Sequence, residues 1–424
     1  MRTLGTRAWI VAALLVVALA PVPATAAGAR TTITFWHAMG GPLGETIKAL
    51  VDEFNRAHPG VEVVAQYQGN YGQLQQKILA SVAAGQPPVV AQSYSNWTEQ
   101  LLEAKAIVPL DPFVEGPDGW SKEELADFWP VFLEANRWDG TLWSIPFNKS
   151  IYVLFYNASL YKELGVSAPT DWEALLKVSK AATLERGGEI VRHGFGLRPN
   201  VDQFALFLLT NGGEWLSPDF QKARFAGKPG VEALQFMVDL LHKYRVAYYI
   251  EGYMEQDFAA GKVAAYATSV PGRPYVEQAV GDKFEWGIGP LPTRSSRRTP
   301  VAGTDLVIFS KATPEQQKAA WTFVKWLVEP QQTARWSMET FYLPVRQSAM
   351  KVPAFQEYLR RDPRNGAALV LLPYAVTDPP IQEWNRIRNY ISDAVAQAFL
   401  LKATPQAALE EAARKTDAEL ARRR

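Results

Sequence analysis

Tryptophan and tyrosine are the residues whose number and placement most suggest a site in this chain: there are 14 Trp and 16 Tyr. Such side chains are packing material first, but each also offers a flat face and a polar edge. Trp36, Tyr71, Tyr94, Trp97 and Trp172 fall at predicted strand ends or at the helix starts beyond them. In open α/β sheets ligands sit there, so as a set these five point to a binding cleft. Groups that make and break bonds are missing. The absence of cysteine excludes thiol catalysis, Cys-ligated metals and disulfides. His37, His58, His193 and His242 are scattered, without the paired spacing of a metal site. No serine-nucleophile elbow, Walker phosphate loop or dinucleotide fingerprint occurs. Glu123 with Glu124, and Glu410 with Glu411, are adjacent on predicted helices, so each pair diverges by about 100° and faces solvent. The pattern is that of a binder rather than an enzyme, with no metal and no cofactor.

The elements that would hold such a cleft alternate. Residues 33–36 read as a strand, and Gly40-Gly41-Pro42 turns into a helix on which Leu43, Ile47, Leu50, Val51 and Phe54 recur, stopped by His58-Pro59-Gly60. Residues 61–67 alternate as a second strand. Leu74, Ile78 and Val82 mark the next helix, and residues 89–92 a third, buried strand. This βαβαβ order predicts a parallel sheet covered by helices, an α/β protein. Residues 142–147 and 152–156 read as strands bracketing Asn148-Lys149-Ser150. Thr170-Asp171-Trp172-Glu173 reads as a capping box. Val231, Leu234, Val238 and Leu241 make one helix face, and residues 263–268, 284–288 and 306–309 read as returning strands. The last third is helical: Thr313-Pro314-Glu315-Gln316 opens one helix with Pro at N1, another begins near Glu383, and a third at Thr404-Pro405. No repeat and no Gly/Ser linker divides the chain, so two lobes would be joined by several short crossings.

At 424 residues, with 48% apolar and 21% charged residues, the chain is globular and long enough for two or three cores. Arg2 and Arg7 precede an apolar run over residues 8–20, and Ala24-Thr25-Ala26 supplies a small-x-small cleavage site. Residues 1–26 therefore read as a secretory signal peptide, and no later apolar run reaches spanning length. Without that segment, 42 basic residues stand against 43 acidic ones, because only Arg2 and Arg7 are lost from 44. A near-neutral chain has no global pull toward nucleic acid or anionic lipid. Arg422-Arg423-Arg424 reads as a helix end, where cations suit the dipole. With no cysteine to carry lipid, the expectation is a soluble, periplasmic monomer.

Three stretches together are distinctive: Ile33-Thr34-Phe35-Trp36-His37, Pro146-Phe147-Asn148-Lys149-Ser150 followed by Tyr152 to Asn157, and Thr340-Phe341-Tyr342-Leu343-Pro344. In order and spacing the chain resembles the family 1 extracellular solute-binding proteins of ABC importers. Gly69-Asn70-Tyr71 brings it nearest the glycerol-3-phosphate and glycerophosphodiester binders. The resemblance implies a type II periplasmic-binding-protein fold with interleaved lobes, 31–146 with 302–341 and 147–301 with 342–424. It also implies a phosphorylated polyol or phosphodiester as ligand and ABC permease subunits as partners. It carries ligand contacts onto Tyr71, Ser150 (rather than Lys149), Ser269, Gly303 and Tyr342, and onto Arg388, whose planar fork suits phosphate. Trp172 would be a stacking wall. Two positions depart from the family pattern: Ser95 stands where a carboxylate holds the glycerol hydroxyls, and Leu197-Arg198-Pro199 replaces aromatic residues. The phosphate half of the site is thus kept and the polyol half is not. The same fold with a neutral sugar is the nearest rival reading, since a sugar site wants carboxylates and amides facing hydroxyls. A secreted glycoside hydrolase would need two carboxyl groups facing one cleft, and the sequence reading places none.

Overall fold

The computed structural model describes residues 30–138 and 140–422. The leader assigned to residues 1–26 lies outside them, as do Arg423 and Arg424. The chain opens with β1 (Thr31–His37), α1 (Gly41–Ala57), β2 (Val61–Tyr67), α2 (Tyr71–Ala83), β3 (Val90–Ser93) and α3 (Ser95–Glu103). β1 pairs in parallel with β2 and β3, Phe35 lying opposite Ala65 on one side and Val90 on the other. That is the parallel sheet the βαβαβ order predicts. α1 buries Leu43, Ile47, Leu50, Val51 and Phe54, the stripe read from the spacing. Phe54 meets the edge of Phe323 at 5.1 Å.

The middle of the chain departs from the expected pattern at one place. Residues 145–157 form a single strand of 13 residues, β4 (Ile145–Asn157), with no turn at Asn148-Lys149-Ser150. A polar triplet between apolar runs resembles a turn because turns are solvated. Here all three residues are buried, and Asn148 and Lys149 find their polar partners inside the protein, Thr304 and Asp305. Buried polar groups persist when they are paired.

Beyond β4 come α4 (Trp172–Ala182), β5 (Phe195–Leu197), α5 (Val201–Thr210), α6 (Lys228–Val238), β6 (Ala247–Tyr249), β7 (Ala265–Ser269), β8 (Trp286–Gly289) and β9 (Thr299–Ile308). α7 (Pro314–Leu327), α8 (Pro330–Thr340), β10 (Ala375–Val376), α9 (Trp384–Phe399) and α10 (Pro405–Ala421) follow. α7 carries the capping box read at Thr313 and Gln316. At α4 the cap is Asp171, whose carboxylate accepts from the Ala174 amide at 2.8 Å, rather than Thr170. An Asp adjacent to the helix is the stronger cap acceptor.

Ten strands form one sheet among the described residues, in the order β6-β5-β7-β4-β9-β3-β1-β2, with β8 beside β4 and β10 beside β9. The first half of β4, from Ile145 to Ile151, pairs antiparallel with β9. Its second half pairs with β7 and β8. β9 in turn runs on beside β3. Two long strands therefore carry the chain between the halves of the molecule, and no tether is needed. Gly303 sits in this crossing at φ +95°, and a Cβ there would lie 1.9 Å from the Asn148 carbonyl oxygen. Only glycine lets β9 pass β4 so closely.

Candidate ligand-binding cleft

Where β4 and β9 cross, the N-terminal ends of α3 and α5 and the start of α9 converge on a cavity of about 290 Å³. α3 presents Tyr94, Ser95, Asn96 and Trp97, because β3 ends at Ser93 and the helix begins at once. β4 presents Lys149 and Tyr152, and α5 presents Asp202 from its first turn. The segment before α9 and the helix itself add Asp378, Asn385 and Arg388. Asn96 donates to Asn385 at 3.3 Å, so α3 and α9 touch across the cavity.

The charges in this wall are paired. Arg388 donates through Nη1 to Asp378 at 2.9 Å and through Nη2 to Asp202. Burial alone would lower the Arg388 guanidinium, but the two carboxylates outweigh it and hold it above the ordinary arginine range. Burial pushes Asp378 upward, and Arg388 opposes that. Lys149 forms a 2.6 Å ion pair with Asp305 beneath the cavity.

A network of phenols borders the charged cluster. The Tyr71 and Tyr342 hydroxyls share a hydrogen bond of 3.0 Å, and Asn148 donates to Tyr71 at 2.9 Å. Asn148 is held in turn by Gln92, which donates to its carbonyl at 2.9 Å. Tyr71 meets Tyr94 edge-on at 4.9 Å, and Tyr94 meets Trp97 at 5.0 Å. Burial raises the Tyr71, Tyr94 and Tyr152 phenols and pushes Tyr342 up to about 12. All four stay neutral hydroxyls near neutral pH, able to donate and to accept.

Among the residues expected at the site, Ser95, Gly303 and Arg388 line this cavity, and Tyr71 and Tyr342 reach it through Tyr94. Ser150 is buried on β4 with its hydroxyl turned to the Ile151 carbonyl at 3.3 Å, and its neighbour Lys149 lines the cavity instead. Ser269 ends β7 opposite Tyr152 in the ladder. Trp172 is not a cleft wall. It is stacked on Phe236 at 4.7 Å and bonded through its indole N–H to Thr210 at 3.3 Å, so packing already occupies it. The expectation that no pair of carboxyl groups faces one cleft is also corrected, since Asp202 and Asp378 both do. Sequence reasoning passed over Asp202, Asp378, Tyr152 and Asn385. Asp202 reads as a helix-start acid favoured by the dipole, and Asp378, before Pro379-Pro380, reads as a turn residue.

A clamp of two α/β halves joined by paired crossing strands, with a polar cavity at the crossing, is the two-lobed solute-binding fold. The chain belongs to the family of bacterial extracellular solute-binding proteins, whose pattern it matches over residues 49–391. It is 25% identical over 430 residues to the sn-glycerol-3-phosphate-binding periplasmic protein UgpB of Yersinia pestis bv. Antiqua, covering 93% of each chain. In structure it is similar to UgpB from Mycobacterium tuberculosis in complex with glycerophosphocholine, with a TM-score of 0.82 and 22% identity over 92% of this chain and 99% of that one. The sugar-binding protein MalE from Xanthomonas citri superimposes with a TM-score of 0.78 at 26% identity, covering 93% of this chain and 98% of that one. Among the described residues no helix is long and apolar enough to cross a membrane.

Proposed function

We propose that this protein is the exported binding component of an ABC importer and captures a glycerophosphodiester, or a glycerol phosphate, between lobes 31–146 with 302–341 and 147–301 with 342–424. The observation that carries this reading is the polar cavity at the strand crossing, walled by Arg388, Tyr94, Tyr152 and the amides of Asn96 and Asn385. The likeness to the glycerol-phosphate-binding relatives supports the ligand class. Charge balance refines it. Arg388 lies between two carboxylates and Lys149 is paired with Asp305, so the wall suits a diester with one negative charge better than a monoester with nearly two. Ligand held by both lobes favours the closed form, which then docks on membrane permease subunits. Ser150 and Ser269 complete the site in this reading once the lobes adjust around ligand.

No chemical step belongs to this function. Both cleft carboxylates are engaged by one guanidinium, which leaves neither as the free general acid that glycoside hydrolysis requires. A neutral sugar is the second reading, favoured by one observation: Asp202, Asp378, Asn96 and Asn385 together resemble the acceptors and amides that grip hydroxyls.

Native mass spectrometry of freshly purified protein, followed by thermal unfolding with added ligand, tests the proposal. Glycerophosphocholine at 100 times its dissociation constant is expected to stabilise the fold by about 2.7 kcal/mol. Stabilisation by maltose alone would favour the sugar reading, and no response to any phosphodiester or sugar would count against a binding protein.

A further inference from the structure

Both cations that line the cavity are already neutralised, Lys149 by Asp305 and Arg388 by Asp202 and Asp378. An anion entering there meets two carboxylates for the one guanidinium of Arg388. Arg198 is different. It stands between β5 and α5, four residues before Asp202, so the loop holds both at the same end of α5. Among the described residues no carboxylate forms an ion pair with it, although the buried Glu255 lies near enough to feel its charge. Its Nε is buried without any hydrogen-bond partner. Its one hydrogen bond runs from Nη2 to the Glu251 carbonyl at 3.4 Å, at the long limit of such contacts. The guanidinium lies over the Tyr253 ring, 5.0 Å from its centroid, and that ring is 70% exposed.

Arg198 is not itself part of the cavity wall, but the loop that carries it leads into α5, whose first turn places Asp202 there. Tyr253 is near enough to Tyr94 and Tyr342 to bias their phenols, and both belong to the network beside the cavity. Arg198, like Arg388, acts electrostatically on Tyr152, which lines the cavity. A buried, unpartnered N–H on a fixed cation is costly unless something accepts from it, and a planar guanidinium steadied on an aromatic face is poised for a bidentate oxyanion.

We infer that Arg198 is the anion-binding group of the cleft: it takes the phosphate of a phosphodiester ligand on the Tyr253 side, while Arg388 holds Asp202 and Asp378 in place toward the ligand's hydroxyl groups. This inference rests on the phosphate-ligand reading above and redistributes the roles within that site. Arg198 is a ligand contact, and Arg388 is chiefly a positioning residue for two acceptors.

Titration calorimetry with glycerophosphocholine on wild type, Arg198→Gln, Arg198→Lys and Arg388→Gln tests it, together with melting of each protein without ligand. Arg198→Gln is expected to weaken binding on the order of 30-fold or more, the effect of truncating one partner of a buried charged contact, and to leave the unliganded melting temperature within a few degrees. Arg198→Lys keeps the charge but loses the fork and is expected to fall between the two. Arg388→Gln is expected to lower the unliganded melting temperature, because Asp202 and Asp378 lose their shared cation. Glycerophosphocholine binding by Arg198→Gln and Arg198→Lys within threefold of wild type overturns the inference and leaves the proposed function standing. If wild type binds maltose and no phosphate-bearing compound, the proposed function fails and the inference fails with it.

Discussion

At the scale of single residues, Lys149 is the side chain most committed by its surroundings. It and Asp305 are 2% and 0% exposed at a separation of 2.6 Å. Burial pushes the Asp305 carboxyl upward, against the pull of Lys149. Asn136 donates to one carboxylate oxygen at 2.8 Å, while the other accepts nothing among the described residues. Removing one member strands a charge in low dielectric, which costs far more than the net worth of the pair. Lys149→Met is therefore expected to destabilise the protein by about 3–5 kcal/mol in equilibrium urea unfolding. A loss below about 1 kcal/mol would mean that water or another group satisfies Asp305. The sequence displays Lys149 as a polar interruption in an apolar run and gives no sign of Asp305, which is far along the chain. Arg388 is similar: its fork was legible as a ligand for oxygen atoms, but its two carboxylate partners come from a helix start and a proline-rich turn that tertiary structure alone brings together.

At the scale of elements, local patterns were legible wherever one element carries its own signal. The α1 stripe, the Thr313 and Gln316 capping box and the parallel β1-β2-β3 unit all follow from periodicity, caps and order. The misread element is β4, where a strand passes through the junction of two halves and keeps polar residues buried by pairing them across β9. Trp172 failed for the opposite reason: a Trp at a helix start suits a cleft or a core, and only the position of Phe236 decides. Gly303 is where element geometry is most exposed to test. An added methyl would meet the Asn148 carbonyl at 1.9 Å, on a backbone at φ +95°, so β9 and β4 must separate to admit it. Gly303→Ala is expected to cost roughly 2–4 kcal/mol of stability and to weaken ligand binding, read by urea unfolding and by calorimetry. Unchanged stability would show the crossing to be looser than its backbone contacts imply.

At the scale of the whole molecule, a sheet that continues through both halves by two paired strands, and a cavity at that junction, give a clamp whose closure depends on what it holds. α3 and α9 touch across that cavity through Asn96 and Asn385. The cleft pairs Lys149 with one carboxylate and Arg388 with two, keeps four phenols neutral, and leaves the Arg198 Nε without a hydrogen-bond partner. A small polar solute with one negative charge and several hydroxyls satisfies all of these at once. The most direct measurement is titration calorimetry of the unmodified protein with glycerophosphocholine and maltose. One-to-one binding of glycerophosphocholine with no heat from maltose is expected. One-to-one binding of maltose with no response to glycerophosphocholine would contradict the proposed function.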